Sequence, residues 1–434
     1  MYEHLKGKTL LVMDRTALAA CAVNRARELG VRSVAANFYP YEDSPSKQAA
    51  DIAVDADISD IDGMVELVKK YEVDGIFIGW TDSHLPFYAE ICRRTGLPCS
   101  GTAEQFRTMS NDKKEFKKAC LANGVPTIPS YLIDMSFRRE DLDKLEYPVV
   151  VKPADGSGGR GVERCDSEEE LIRKYTALYR SSRSKNIICE KYVDSPLEIF
   201  LNYTIQGDRP NLSAAYIKHR ALAEADSTSS GLLHIYPASC IPAYRKRVEP
   251  RVIAMLRNLG LKNCVLSLQG FVKGDEFYFH EAGLRMGGGQ SYVFTQALNG
   301  ISALDMMIEF ALTGKMSTAD AAAQDDCMFS QYCANYYVRL RSGVIRSISG
   351  IDEVMKMPQV LQCLTFRKVG DSIGTEGSVD RVIYRIHVMD RTKEALAETL
   401  SRISRTLEIR SEDGEEMQLE RLTPERALQM IENS

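Results

Sequence analysis

Long apolar runs, clustered positive charge and paired cysteines are all missing from this 434-residue chain. No apolar stretch approaches the roughly 18 residues needed to span a bilayer. The opening MYEHLKGKTLLVMD sets acidic and polar residues too close to its short apolar stretch for a signal peptide. The net charge is −5 and the basic residues are dispersed, which argues against the electrostatic footprint of a nucleic-acid binder. Eleven cysteines lie scattered, with no CxxC pair and no Cys/His cluster. Several, such as Cys189 and Cys264, sit inside apolar runs, where a thiol packs as a small hydrophobe. A reduced, cytoplasmic protein is expected, not a disulfide framework. The P-loop pattern GxxxxGK[ST] is absent, and so is GxGxxG after the first apolar run, which reads MDRTALAA. Internal repeats and low-complexity stretches are lacking too.

What remains is ordinary globular chemistry, 44% hydrophobic and 26% charged. The length exceeds what one core serves and predicts about three domains of roughly 100–150 residues. Residues 8–105 alternate short apolar runs (KTLLVMD, VRSVAANFY, DGIFIGW) with amphipathic helical stretches. That alternation predicts right-handed crossovers and a parallel sheet. Its glycine-free first turn makes this part a scaffold and not a cofactor site. Ser110–Asp112 can cap a helix, NDKKEFKKACLANG, that Gly124 ends. From 131 to 198 the pattern is strand, loop, strand, glycine loop, helix, strand. A mixed region runs to the helix ALDMMIEFALTG, and 313–326 is a connector. Short strands and a terminal helix from 328 onward read as a small α+β unit.

Two segments carry chemistry. In YPVVVKPADGSGGRG, Lys152 ends a β-branched run and feeds a loop containing Gly156, Ser157, Gly158, Gly159 and Gly161. Glycines free the backbone to turn its N–H groups toward phosphate oxygens, and the lysine adds a compact cation. Taken alone, the segment reads equally well as a surface turn beside a snorkelling lysine. The second, QGFVKGDEFYFHEAGLRMGGG, is a strand–turn–strand presenting Glu281 and Arg285.

Together and in order, these segments resemble the ATP-grasp superfamily. Asn111-Asp112-Lys113 followed by Gly124-Val125-Pro126 looks like the family's first lysine region, so the resemblance implies that Lys113 contacts phosphate. Lys152 and the glycine loop look like the second lysine and mobile lid. Glu190, Lys191, Tyr192 and Val193 are similar to the hinge that holds adenine, and Glu198 matches the acidic ribose position. Lys218, on the basic strand YIKHR, falls near ribose and substrate. Glu281 matches the bridging metal carboxylate and Arg285 the arginine that steadies the acyl-phosphate. Gln269 stands where a first metal glutamate is expected and Gly283 where an asparagine is expected. An amide carbonyl can hold Mg²⁺ but brings no charge. The form E-x-x-x-R before three glycines is closer in style to L-amino-acid ligases. His219 and His234 are the nearest histidines for a general base.

The resemblance implies a mixed α/β and α+β chain. It places an N-terminal Rossmann-like preATP-grasp domain at 1–108 and a two-lobed ATP-grasp domain at 109–320, with lobe A about 109–187 and lobe B about 188–320. A small C-terminal closing domain occupies 328–434. The implied activity is ATP- and Mg²⁺- (or Mn²⁺-) dependent ligation of a carboxylate to an amine or thiol, giving ADP and phosphate. Lys152, Glu281 and Arg285 are its catalytic residues, its partners are small molecules, and a homodimer is compatible. Bicarbonate as the carboxylate, in the manner of carbamoyl phosphate synthase or biotin carboxylase, is the alternative. Gln269 and Gly283 leave open an ATP-binding protein of weakened catalysis.

Overall fold

Four short parallel strands open the chain: β1 (Thr9–Val12), β2 (Arg32–Asn37), β3 (Ile52–Asp55) and β4 (Gly75–Phe77), in the spatial order β3-β2-β1-β4. Every residue of β1 and β4 is buried, as a parallel sheet covered by helices requires. The first crossover helix, Ala17–Glu28, starts where Thr16 Oγ1 accepts from Ala19 N at 3.2 Å. The glycine-free turn before it is held by a buried carboxylate. Asp14 accepts from Thr16 N at 3.0 Å and from Thr81 Oγ1 at 2.9 Å. A phosphate at this turn would meet a negative charge, which explains why no phosphate cradle forms there. The computed structural model describes residues 2–154, 161–182, 184–195, 197–222, 231–374 and 381–434. The lid residues Gly156, Ser157, Gly158 and Gly159 lie outside them.

A second, antiparallel sheet combines β5 (Ser130–Tyr131), β6 (Val149–Pro153), β7 (Glu163–Cys165) and β8 (Ile187–Lys191) in the order β5-β8-β6-β7. Leu171 and Tyr175 of the helix Glu168–Ser181 pack onto Val149, Val151, Cys165 and Cys189. The β-branched run and the cysteines are thus core.

The remaining strands are β9 (Leu197–Gln206), β10 (Arg209–His219), β11 (Leu233–Tyr236), β12 (Cys264–Lys273), β13 (Glu276–Gly283), β14 (Tyr332–Arg339), β15 (Gly343–Ser349), β16 (Val360–Thr365), β17 (Ser372–Ile373), β18 (Val382–Asp390) and β19 (Glu408–Ser411). Eight of them make one antiparallel sheet, β13-β12-β9-β10-β11-β14-β18-β16, and β17-β15-β19 make a small one. The connector at 313–326 does not end the large sheet. Strand β14 pairs with β11 across it, with His234 opposite Asn335, so the C-terminal strands continue the sheet begun at β9. The helix Lys393–Thr406 buries Leu396, Leu400 and Ile403 in the C-terminal core. The apolar helix Ala303–Thr313 packs Leu304, Met307, Ile308 and Phe310 with Leu10 and Val12 of β1. Each such side chain contributes about 1.5–3 kcal/mol on burial.

Candidate active site

Glu190 closes β8 and is 4% exposed, and two lysines hold it. Lys152, next to it on β6, places Nζ 2.7 Å from one carboxylate oxygen. Lys117, from the helix Lys113–Ala122, reaches the other oxygen at 2.5 Å. Burial alone would raise the Glu190 carboxyl, but the two cations outweigh it and hold it below the ordinary carboxylate range. Lys117 was not foreseen from the motif. Its signal was the four-residue spacing from Lys113, which puts both lysines on one helical face. Strand alternation turns the next side chain outward, so Lys191 pairs with Glu146 on the surface. The backbone N–H groups of Lys191 and Tyr192 donate to Pro129 O and Pro148 O, at 2.9 and 3.1 Å, and Arg164 stacks on the Tyr192 ring at 4.6 Å. Val193 O accepts from Ser195 N at 2.9 Å. Gly161, the one lid glycine among the described residues, has φ +72° beside Pro153, a conformation that favours glycine.

A second charged group sits on the large sheet. Glu198 on β9 lies directly opposite Lys218 on β10, pairs with it, and also takes Arg220 Nη2 at 3.1 Å. His280 Nε2 stands 3.9 Å from the same carboxylate, with its ring against Phe271 at 5.0 Å. Burial, and then the charges of Lys152, Lys218, Lys113 and Lys117, push His280 well below its ordinary range. A neutral histidine is therefore the point on which both lysine groups converge.

The acidic end is one residue away. Gln269 and Glu281 face each other across β12 and β13, at a bulge between Gln269 and Gly270 that re-aims side chains. Glu281 is 3.4 Å from Lys113 Nζ. Beyond it, Arg285 Nη2 bonds Asp82 Oδ2 at 2.6 Å. Gly283 explains its own departure from the expected asparagine. A Cβ there would lie 3.2 Å from Arg285 Cζ, so the missing side chain lets the guanidinium fold flat across the strand to reach Asp82. Asn111 Nδ2 donates to Asp82 O at 2.9 Å and Ser110 Oγ accepts from Leu284 N at 2.7 Å. Both come from the π-helical turn Arg107–Asn111, a feature common at functional sites. Asp82 Oδ1, Asn111 Oδ1, Arg285 Nε and His280 Nε2 are buried without a hydrogen-bond partner. Such a row of unsatisfied atoms costs stability unless a ligand or water completes it. Asp82 was the second residue missed. Its place, just past a strand end in an open parallel sheet, was the available signal.

Residues 112–316 match the family model for the carbamoyl-phosphate synthase L chain, ATP binding domain. That segment, just under half of the chain, is thus similar to the ATP-binding domain of the ATP-grasp superfamily. The chain is 24% identical over 350 residues to the 2-oxoglutarate carboxylase small subunit of Hydrogenobacter thermophilus, covering 75% of this chain and 70% of that protein. It spans 40% or less of the length of seven further curated relatives. The crystal structure of L-amino acid ligase from Bacillus licheniformis superposes with a TM-score of 0.77 at 20% identity, covering 94% of this chain and 99% of that one. The biotin carboxylase domain of Hydrogenobacter thermophilus 2-oxoglutarate carboxylase, solved with MgADP and bicarbonate, gives 0.77 at 19% identity, covering 95% and 91%.

The histidines near this site are poor bases. His219 Nε2 lies 2.6 Å from Ser434 Oγ, and burial lowers it to about 4. His234 is stacked between Tyr216 and Tyr337 at 4.5 and 4.6 Å, and burial depresses it strongly. Cys264 is 1% exposed and burial pushes its thiol up to about 12, so it packs as core. All eleven cysteines are unbridged. Among the described residues no helix is long and apolar enough to cross a membrane. No cluster of three His, Cys, Asp or Glu side chains could hold a metal there either.

Proposed function

We propose that this protein is an ATP-dependent carboxylate–amine (or carboxylate–thiol) ligase working through an acyl-phosphate. One observation carries the reading. Lys117 and Lys152 hold Glu190, Lys113 lies 3.4 Å from Glu281, and Lys218 pairs with Glu198, which His280 approaches at 3.9 Å, so four cations gather around the strand that carries Glu281. A cleft of this charge matches a triphosphate, whose reaction is catalysed mainly by positioning and charge stabilisation. Lys113 and Lys152 address the terminal phosphates, and Glu190, Lys191, Tyr192 and Val193 border the adenine. Glu198, held by Lys218, faces the ribose. Glu281 and Gln269 offer two adjacent oxygen donors, a set that fits Mg²⁺ sharing its remaining positions with phosphate and water. A Mg²⁺ held by these two residues would supply charge neutralisation.

A substrate carboxylate oxygen attacks the γ-phosphorus and the bond to the β-bridging oxygen breaks, releasing ADP. Arg285, oriented by Asp82, steadies the acyl-phosphate oxygens. An amine nitrogen then attacks the carbonyl carbon, phosphate leaves and the nitrogen loses its proton. Phosphate release from ATP, screened with Mg²⁺ or Mn²⁺ across amino acids, short peptides, hydroxy acids and bicarbonate, tests this. AMP and pyrophosphate as products would refute it.

A second reading takes bicarbonate as the carboxylate, favoured by the carboxylases among the curated relatives. Bicarbonate-dependent release of ADP without an organic acid would select it. A homodimer belongs to either reading, and sedimentation measures it.

A further inference from the structure

Arg385, on β18, is a buried cation with no counterion among the described residues. It is 9% exposed, and among the described residues no carboxylate lies within ion-pair distance of it and only its Nη1 is hydrogen-bonded, to Gly288 O. Nε is buried and unpartnered. The planes of Tyr337 and Phe366 cover the guanidinium at 4.7 and 5.3 Å. Burial, and then this charge, hold His387 down at about 3. Buried guanidinium groups are ordinarily paired, as Arg285 is with Asp82. The unused edge, Nε with Nη2, is the one that grips a carboxylate with two parallel bonds.

Its position identifies which molecule would supply that anion. Gly288 follows Arg285 by three residues. The turn is pressed to the sheet by Asn335 Nδ2, which donates to Gly289 O at 2.7 Å, and by His387 Nε2, 3.2 Å from the same oxygen. A Cβ on Gly289 would stand 3.1 Å from Tyr236 Oη, so the turn has been stripped of side chains. Tyr216 is linked to Arg385 through the rings of His234 and Tyr337, at successive spacings of 4.5, 4.6 and 4.7 Å. Strand β18 is four strands from β9, about 19 Å from the ribose-side Glu198 at the usual strand spacing. That is too far for the nucleotide.

We propose that Arg385 binds a substrate carboxylate other than the one activated by ATP. It belongs either to the nucleophile, as in an amino acid, or to the activated acid, as in a dicarboxylate. The proposal rests on the ligase reading, and it is tested first by binding. Malonate, succinate and glycine should each be tried for a rise in melting temperature of the Mg²⁺–ADP-loaded protein. At least one should raise it in the wild type, not in Arg385→Met, and still in Asn335→Ser, which loosens the same turn and spares the guanidinium. No shift with any of the three, or an equal shift in Arg385→Met, overturns it. In turnover, Arg385→Met should raise KM for the carboxylate-bearing substrate by about 10–100-fold with KM for ATP unchanged. Replacing amino-acid nucleophiles by their amides, and diacids by their monoesters, separates the two sources. The analogue that loses the wild-type advantage and is indifferent to Arg385→Met names the molecule. Equal losses on every analogue overturn the proposal. Absence of ADP release with retained carboxylate-dependent stabilisation would strike the ligase reading alone.

Discussion

Lys117 and Gly283 show how much a single side chain decides in this cleft. Removing Lys117 leaves Lys152 as the one cation on the buried Glu190 among the described residues, so Lys117→Met should destabilise the fold by about 1–3 kcal/mol and weaken ATP binding. Chemical denaturation and nucleotide titration check both. Lys152→Ala and Glu281→Ala should each lower ATP turnover by about 10²–10³-fold at nearly unchanged secondary structure. Gly283→Asn places a side chain where the Arg285 guanidinium lies, 3.2 Å from the added Cβ. It should mimic Asp82→Asn, lowering kcat about 10–100-fold with ATP affinity retained. If instead Gly283→Asn raised activity, the expected asparagine role would hold and the packing argument would fail. The motif lysines and carboxylate could be picked out from residue type and order, and the substitutions above test the roles proposed for them. The glycine's reason was not legible there, because it depends on an arginine bending toward Asp82, 203 residues earlier.

Strands and their registers set the metal-facing pair and the acid response. Because Gln269 opposes Glu281 across β12 and β13, Gln269→Glu adds a second charge at the same spot. It should tighten Mg²⁺ binding and raise turnover at limiting metal, as a Mg²⁺ titration of ATPase rate would report. At the end of β10, His219 is locked neutral against the terminal Ser434. An unfolded histidine takes its proton near 6.5, whereas the folded one does so only at about 4. Its contribution is thus present above 6.5 and lost as pH falls through 4, about 3 kcal/mol in all. Denaturation from pH 7 to 4 should show that loss, and His219→Gln should flatten it. The alternation that identified the strands could be read along the chain, but the pairing of β10 with the C-terminal residue could not.

Across the whole molecule, the large sheet ties the nucleotide side to the C-terminal strands. Ending the chain at 327 would strip β14 from β11 and expose the edge Leu233 to Tyr236, all buried in the 434-residue chain. Such a bare apolar edge aggregates, so the fragment should sediment as large species where the full chain does not. The helix positions, the parallel opening sheet and the order of the ATP-grasp motifs were determined by the sequence alone, because hydrophobic period and residue chemistry are local properties. Tertiary structure alone decided that Asp82, past the end of the opening sheet, would meet Arg285, that Lys117 would join Lys152, and that Arg385 would be buried with no carboxylate partner among the described residues. Those contacts join residues 35 to more than 200 apart or depend on a missing neighbour, and no periodicity in a chain encodes which distant charges close on one another.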